Sequence, residues 1–234
     1  MNFSIQTING HVKHDFSFTL LEALAYHQWL GYGSHTFSLT DHIPKVGIPV
    51  GSVEFVSETL KSRMYPVPKP KNVPVELRHF AGRTILDGNE NSHKRPGGAS
   101  WFVKSNDVIK YPTRFVDSHD LLDVGRYQFS SIVDFETEWR AFVWRGQLVG
   151  LQNYAGDFCL FPEVSRIRKM IKAYVDAPCA YTLDVGIVNG ETCLVEVHDF
   201  FSCGLYGFAD LQLLPLMLGG WYKEYIKSRG VQSC

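Results

Sequence analysis

The sequence predicts an α/β protein, and three observations carry that reading. Residues 181–208, YTLDVGIVNGETCLVEVHDFFSCGLYGF, alternate apolar and polar side chains on either side of Asn189-Gly190, the pattern of two antiparallel strands joined by a tight turn. Residues 162–177 set Val164, Ile167, Ile171, Tyr174 and Val175 on one side at helical spacing, with Arg166, Lys169 and Lys172 elsewhere. Residues 1–75 intersperse short β-type runs with helical ones.

The 234 residues are enough to bury a core, either as one large domain or as two small lobes. With 45% hydrophobic and 20% charged residues the composition is that of a globular chain. Twenty-three basic and 24 acidic residues leave a net charge of −1, which provides no global electrostatic footprint for nucleic acid or an anionic membrane. The five cysteines, at 159, 179, 193, 203 and 234, are odd in number and form no Cys-x-x-Cys. Free thiols in a reducing compartment fit that count better than a disulfide frame. The N-terminus has no signal-peptide pattern and no apolar run reaches membrane-spanning length, so a cytoplasmic protein is expected.

In chain order, Phe3 and Ile5 mark a first strand, and Leu20, Leu21 and Leu24 one side of a helix over residues 19–30. His27 and Trp29 near its end read as packing or capping residues. Residues 48–55 form a short strand before a helix capped at Ser57, which leaves Glu54 just ahead of it. Residues 64–75, MYPVPKPKNVPV, hold four prolines and must be extended. They place a boundary between a small N-terminal α/β lobe, 1–75, and a second region, 76–234, with Lys69 and Lys71 read as solvated. The polar, glycine-rich residues 89–99 read as a surface lid, and Trp101-Phe-Val-Lys104 as a buried strand ending in a lysine. A strand at 127–133 precedes a hairpin of 139–144 and 148–154 about Arg145-Gly146. Pro162 suits the first turn of the following helix. A last helix, from about residue 210, is expected to break at Pro215 and Gly219-Gly220, leaving 221–228 as a final piece.

The chemistry concentrates in residues 181–208. Leu183, Val185 and Ile187 with Cys193, Val195 and Val197 form an apolar face, which leaves Asp184, Glu196 and His198 for the other. A two-residue turn at Asn189-Gly190 would pair Asp184 with Val195 and put it on the apolar side. A three-residue loop from Val188, with Gly190 left-handed, pairs Asp184 with Leu194 instead and keeps one dry and one polar face, so it is the expected form. Two carboxylates and an imidazole on one surface suit a hard divalent cation, with Mg²⁺ carrying nucleotide phosphates as the natural candidate. A polar, solvent-facing hairpin side with no ligand would give the same pattern.

With Asp184 on one strand and Leu-Val-Glu196-Val-His198-Asp199 on the next, the sequence resembles the ATP-grasp superfamily, whose nucleotide-binding half ends in a strand bearing Asp and a strand bearing Glu-x-Asn. The resemblance implies two lobes with mixed and antiparallel sheets clasping ATP, with Asp184 and Glu196 binding Mg²⁺. His198 stands where the family has Asn; imidazole is a poorer Mg²⁺ ligand, so either Asp199 takes over or the second metal position is altered, and Mn²⁺ becomes worth comparing. Lys104 matches the family's phosphate-reaching lysine, Lys110 follows six residues on, and Glu138-Trp139-Arg140 resembles a clade common in phages and bacteria with one arginine and two lysines at the nucleotide site. The strand at 127–133 leads into the interlobe hinge, where Asp134 or Glu136 would hold the ribose.

The resemblance, over roughly residues 76–210, implies an ADP-forming carboxylate-amine ligase working through an acyl phosphate. Lys104, Lys110 and Arg140 would stabilise the phosphates, and the acid and amine would be small molecules or peptides. A small-molecule kinase would use the same groups, and a non-catalytic nucleotide-binding or interaction module is the rival from another class. A nucleic-acid ligase is disfavoured because Asp87-Gly88 lacks a lysine two places earlier.

Overall fold

The structure is a computed structural model that describes residues 1–32, 35–92, 100–112, 114–201 and 203–230. Residues 93–99 of the glycine-rich lid expected at 89–99 lie outside the described residues.

The chain opens with β1 (Asn2–Gln6), α1 (Asp15–Trp29), β2 (Thr36–Thr40), β3 (Ile48–Val50) and α2 (Val53–Ser62). β1 lies between β2 and β3 in an all-parallel sheet. α2 begins earlier than the sequence suggested, because the Ser52 hydroxyl accepts the Phe55 N–H at 3.1 Å and caps it, so Glu54 sits in the first turn. The proline-rich segment follows and is tied down at both sides. The Val197 N–H donates to Asn72 O at 2.8 Å, while the Asn72 side chain donates to Ser105 O and to Asn106.

A 3-10 turn (Val75–Phe80) leads into β4 (Ile85–Asn89), β5 (Trp101–Ser105), β6 (Arg114–Val116) and β7 (Arg126–Ser130), an antiparallel sheet in the order β4-β7-β5-β6. β8 (Thr137–Trp144), β9 (Gln147–Gly156), α3 (Val164–Ala173), β10 (Ala180–Val188), β11 (Glu191–Asp199) and α4 (Leu214–Gly230) complete the chain. The larger antiparallel sheet runs β11-β10-β8-β9.

The two faces of the larger sheet explain where chemistry can sit. One face sends Trp139, Ala141, Val143, Tyr181, Leu183, Val185, Leu194 and Val197 into a core with Ile167, Met170, Ile171 and Tyr174 of the α3 segment and with Leu77. Each fully buried Leu or Val there contributes about 1.5–3 kcal/mol. Met170 takes the place expected of Val175, which is exposed beyond the helix end. The other face is divided. Phe142 and Phe200 join the core of the N-terminal sheet with α1, α2 and α4, whereas Arg140, Asp184 and Glu196 form a polar patch beside them.

α4 runs unbroken through the positions expected to interrupt it. Pro215 lies in its first turn, where no intrahelical N–H is needed. Gly220 is the point of closest packing on the larger sheet: a Cβ there would lie 2.5 Å from the Trp144 ring, so the glycine marks close approach rather than a break.

The turn between β10 and β11 also differs from expectation. It is a two-residue turn with Asn189 and Gly190 both at positive φ, and Val188 opposite Glu191. Regular pairing from there would bring Asp184 opposite Val195. Instead a β-bulge intervenes: Val185 faces Leu194, Asp184 faces Glu196, and Val195 is the extra residue. The polar face expected from alternation therefore exists, produced by the bulge and not by a longer loop. Leu194, rather than Cys193, is the residue opposite Val185 in the dry core.

Candidate functional site

A cavity of about 380 Å³ opens where the polar face of the larger sheet, β5 and the proline-rich segment meet. Arg140 enters it from β8, Glu196, His198 and Asp199 from β11, Lys104 from the end of β5, and Lys110 from the loop after β5. The β-bulge matters here because it puts Asp184, Glu196 and His198 on a common side.

Arg140 lies directly opposite Asp184 in the β8–β10 ladder. Its Nε and Nη2 donate to the two Asp184 oxygens at 2.8 and 2.7 Å, and Nη1 donates to Gly204 O at 3.0 Å. The pair is buried, with side chains 7% and 1% exposed, and the guanidinium lies over the rings of Tyr206 at 4.9 Å and Tyr154 at 5.7 Å. Three of its five N–H groups are thus committed, leaving two that need partners. Burial drives the Asp184 carboxyl upward, but Arg140, with His198, outweighs it and holds the group below the usual range.

Lys104 Nζ contacts Glu196 at 2.6 Å, with both side chains about one-fifth exposed, at 19% and 18%. His198 Nε2 stands 3.4 Å from Glu196 and 3.5 Å from Asp184. Neither contact is an aligned hydrogen bond, so this inward-turned nitrogen is a buried polar atom without a partner. Asp184, Glu196 and His198 each bring one ligand atom within 4.8 Å of the others, a donor set of two carboxylates and an imidazole that fits a divalent cation. The orphaned His198 Nε2 is the observation that favours a ligand over a self-contained ion-pair network.

A profile of the ATP-grasp domain, the second family of the clade named for one arginine and two lysines, matches residues 80–216, more than half of the chain. The chain belongs to this ATP-grasp family. Solved structures agree on the fold. D-alanine–D-alanine ligase from Bacillus anthracis, complexed with ATP, superposes with a TM-score of 0.53 at 10% identity, covering 100% of each chain. An ATP-grasp RimK domain protein from Sphaerobacter thermophilus gives 0.54 at 12% identity over 95% of this chain and 98% of its own. N5-carboxyaminoimidazole synthetase from Staphylococcus aureus gives 0.54 at 10% identity over 94% and 77%. No curated protein matches the sequence.

Within this ATP-grasp chain the residues singled out from sequence do not all meet. Lys104, Lys110, Arg140, Glu196, His198 and Asp199 line the cavity, and Asp184 lies just beneath it. Lys110 Nζ is 3.5 Å from Glu54 on α2, both largely exposed, so it faces the cavity from the N-terminal side. Asp134 and Glu136 sit on the exposed 131–136 connection between the sheets and outside the cavity lining. Asp199 is buried with Lys71 at 4.0 Å, and burial raises its carboxyl above the ordinary value.

Sequence reasoning missed three contributors. Lys71 lines the cavity although its proline-rich surroundings resembled a solvated linker. Tyr154 and Tyr206 sandwich Arg140, and the Tyr154 hydroxyl donates to Glu138 at 2.5 Å. Tyr154 continues the alternation of β9 and could have been placed on this face; Tyr206 follows the last strand in irregular chain and carried no signal.

The charge on His198 has a testable consequence. Burial lowers its pKa, yet Glu196 and Asp184 overcome that and hold it at about 9, above the ordinary 6.5. A raised folded-state pKa stabilises fully below 6.5 and is lost as pH climbs through 9. In metal-free protein the thermal midpoint should therefore fall between those limits, and His198→Asn should remove that fall. A midpoint that stays level in wild type would mean that His198 is neutral.

Proposed function

We propose that this ATP-grasp chain is an ADP-forming ligase that joins a carboxylate to an amine. The observation that carries the reading is the convergence of Lys104, Lys110 and Arg140 on the cavity that also holds Glu196 and His198. Phosphoryl transfer needs neutralisation of spread negative charge and correct positioning more than a covalent nucleophile, and these residues supply both. Two of the superposed proteins, D-alanine–D-alanine ligase and the carboxyaminoimidazole synthetase, add support at the level of the fold.

In this reading residues 1–75 form the N-terminal lobe and 76–234 the nucleotide-binding region. Asp184 and Glu196 would hold Mg²⁺, with His198 or Asp199 completing the set. Bound there, the metal would bridge phosphate oxygens and neutralise the charge that develops on them. Lys104 would exchange Glu196 for a phosphate oxygen. Arg140, oriented by Asp184, Gly204 and the two tyrosines, would present its remaining N–H groups without losing rotamer freedom on binding. Lys110 would close the cavity from the other side. A carboxylate oxygen of the acid attacks the γ-phosphorus and ADP leaves; the amine nitrogen then attacks the acyl carbon, loses a proton, and phosphate departs.

The test follows an oxygen atom. Pools of carboxylic acids labelled with ¹⁸O in the carboxylate are incubated with ATP, Mg²⁺ and pooled amines, and released phosphate is examined by mass spectrometry. A ligase transfers one labelled oxygen from the acid to phosphate. ADP formation with a phosphorylated hydroxyl product and unlabelled phosphate would replace this reading with a kinase.

A further inference from the structure

We propose that Arg83 is a positioning residue that selects the strand register on which the metal-ligand set depends. In a regular strand successive carbonyls point to opposite edges; a bulge turns two in a row the same way. On the outer edge of β11 those two are Leu194 O and Val195 O. Arg83 spans them with one planar fork: Nη1 donates to Leu194 O at 2.6 Å and Nη2 to Val195 O at 2.7 Å. Nη1 also reaches Ala81 O at 3.2 Å, and the guanidinium lies 5.7 Å from the centre of the Phe135 ring. Phe135 in turn covers Gly186 of β10, where a Cβ would come within 2.4 Å of the ring.

The competing register makes this contact consequential. Without the bulge, pairing continued from Val185 opposite Leu194 sets Asp184 against Val195 and Leu183 against Glu196. Glu196 then points into the dry core and His198 follows it, so the Asp184, Glu196 and His198 set does not form. Hydrophobic alternation does not fix the register by itself, because Leu194, Val195 and Val197 are all apolar and more than one of them can fill the core position opposite Val185. A cation that binds only the bulged geometry does discriminate. Arginine suits this role better than lysine because two acceptors must be satisfied at once. Arg83 does not line the cavity, so its influence passes through the backbone of β11.

Arg83→Ala, Arg83→Lys and wild type would be compared by two readouts. The first is the register itself: in isotopically labelled protein, cross-strand Overhauser contacts of residue 184 with residue 196 against those with residue 195. The second is binding of Mn²⁺ with a non-hydrolysable ATP analogue, followed by calorimetry. Arg83→Ala is expected to lose the contact between 184 and 196 and to bind Mn²⁺ with the analogue about 10–100-fold more weakly. Added methylguanidinium should restore both, and methylammonium should not. That selective rescue is something a general loss of stability would not produce. Arg83→Lys, which can serve one carbonyl, should populate both registers and answers the question should the alanine variant fail to fold. Retention of the contact between 184 and 196 in both variants, or loss of binding with no rescue, overturns the assignment. The binding arm rests on the proposed ATP-dependent function and the register arm does not: wild type that fails to bind Mn²⁺ and analogue would refute that function while the Overhauser contacts still decide the role of Arg83.

Discussion

Asp184→Asn is expected to cost about 3–5 kcal/mol of folding stability, since it strands the Arg140 guanidinium in a site where it is almost wholly buried. The substitution keeps shape and removes charge, so the loss reports electrostatics and not a cavity. For a chain of this size it corresponds to a fall in thermal midpoint of roughly 10 °C. Replacing both partners, as Arg140→Met with Asp184→Leu, should recover a good part of it, because a buried ion pair is costly to break and much less costly to replace. Both single variants and the double variant would be measured by denaturant unfolding. If Asp184→Asn unfolds like wild type, the pair is not desolvated and the geometry of Arg140 is not fixed by it. The same pair has a functional side: Arg140 is held rigid before any ligand arrives, which is the preorganisation that phosphate recognition needs.

Lys104→Met should move two affinities in opposite directions. In the structure Lys104 provides the positive charge beside Glu196, at 2.6 Å. It thereby occupies electrostatically the place a divalent cation would take. Burial raises the Glu196 carboxyl, but His198 and Lys104 together hold it well below its ordinary range. Removing the ammonium leaves Glu196 with an unsatisfied charge and should strengthen binding of Mn²⁺ alone by about tenfold. Binding of ATP with the metal should weaken by more than about tenfold, since a charge-assisted contact to phosphate is lost. Paramagnetic titration of Mn²⁺, with and without nucleotide, separates the two. If both affinities fall together, Lys104 is a structural partner of Glu196 and does not pass to the phosphates.

How much of this was legible beforehand depends on which forces are local. The apolar alternation of residues 181–199 and the helical spacing of 162–177 are local patterns, and both elements formed where they pointed. Lys104, Arg140 and the acidic residues of β10 and β11 could be assigned to one site because order and spacing matched a family. The bulge at Val195 was not visible, because the atoms that hold it belong to Arg83, 112 residues away in sequence. The same is true of α4: Gly219 and Gly220 read as breakers until Met1 and Trp144 are seen packed against them. β2 was missed because Phe37 and Leu39 are both half exposed on a strand with no buried face to pattern it. Lys71 was misjudged for a related reason. A proline-rich run looks like a linker until Asn72 is found bonded to both sheets, holding the lysine over the cavity.

Everything functional here turns on whether the β10–β11 carboxylates bind a metal that carries ATP. Among the described residues no helix is long and apolar enough to cross a membrane, so the protein can be titrated without detergent in the first instance. The decisive measurement is calorimetric titration of ATP into wild type and Glu196→Gln, each with Mg²⁺ and with chelator. Wild type should bind ATP only with Mg²⁺, and Glu196→Gln, which keeps the side chain's shape and loses its charge, should lose that metal dependence. Wild type that binds ATP equally well with and without Mg²⁺, or not at all, would contradict the account.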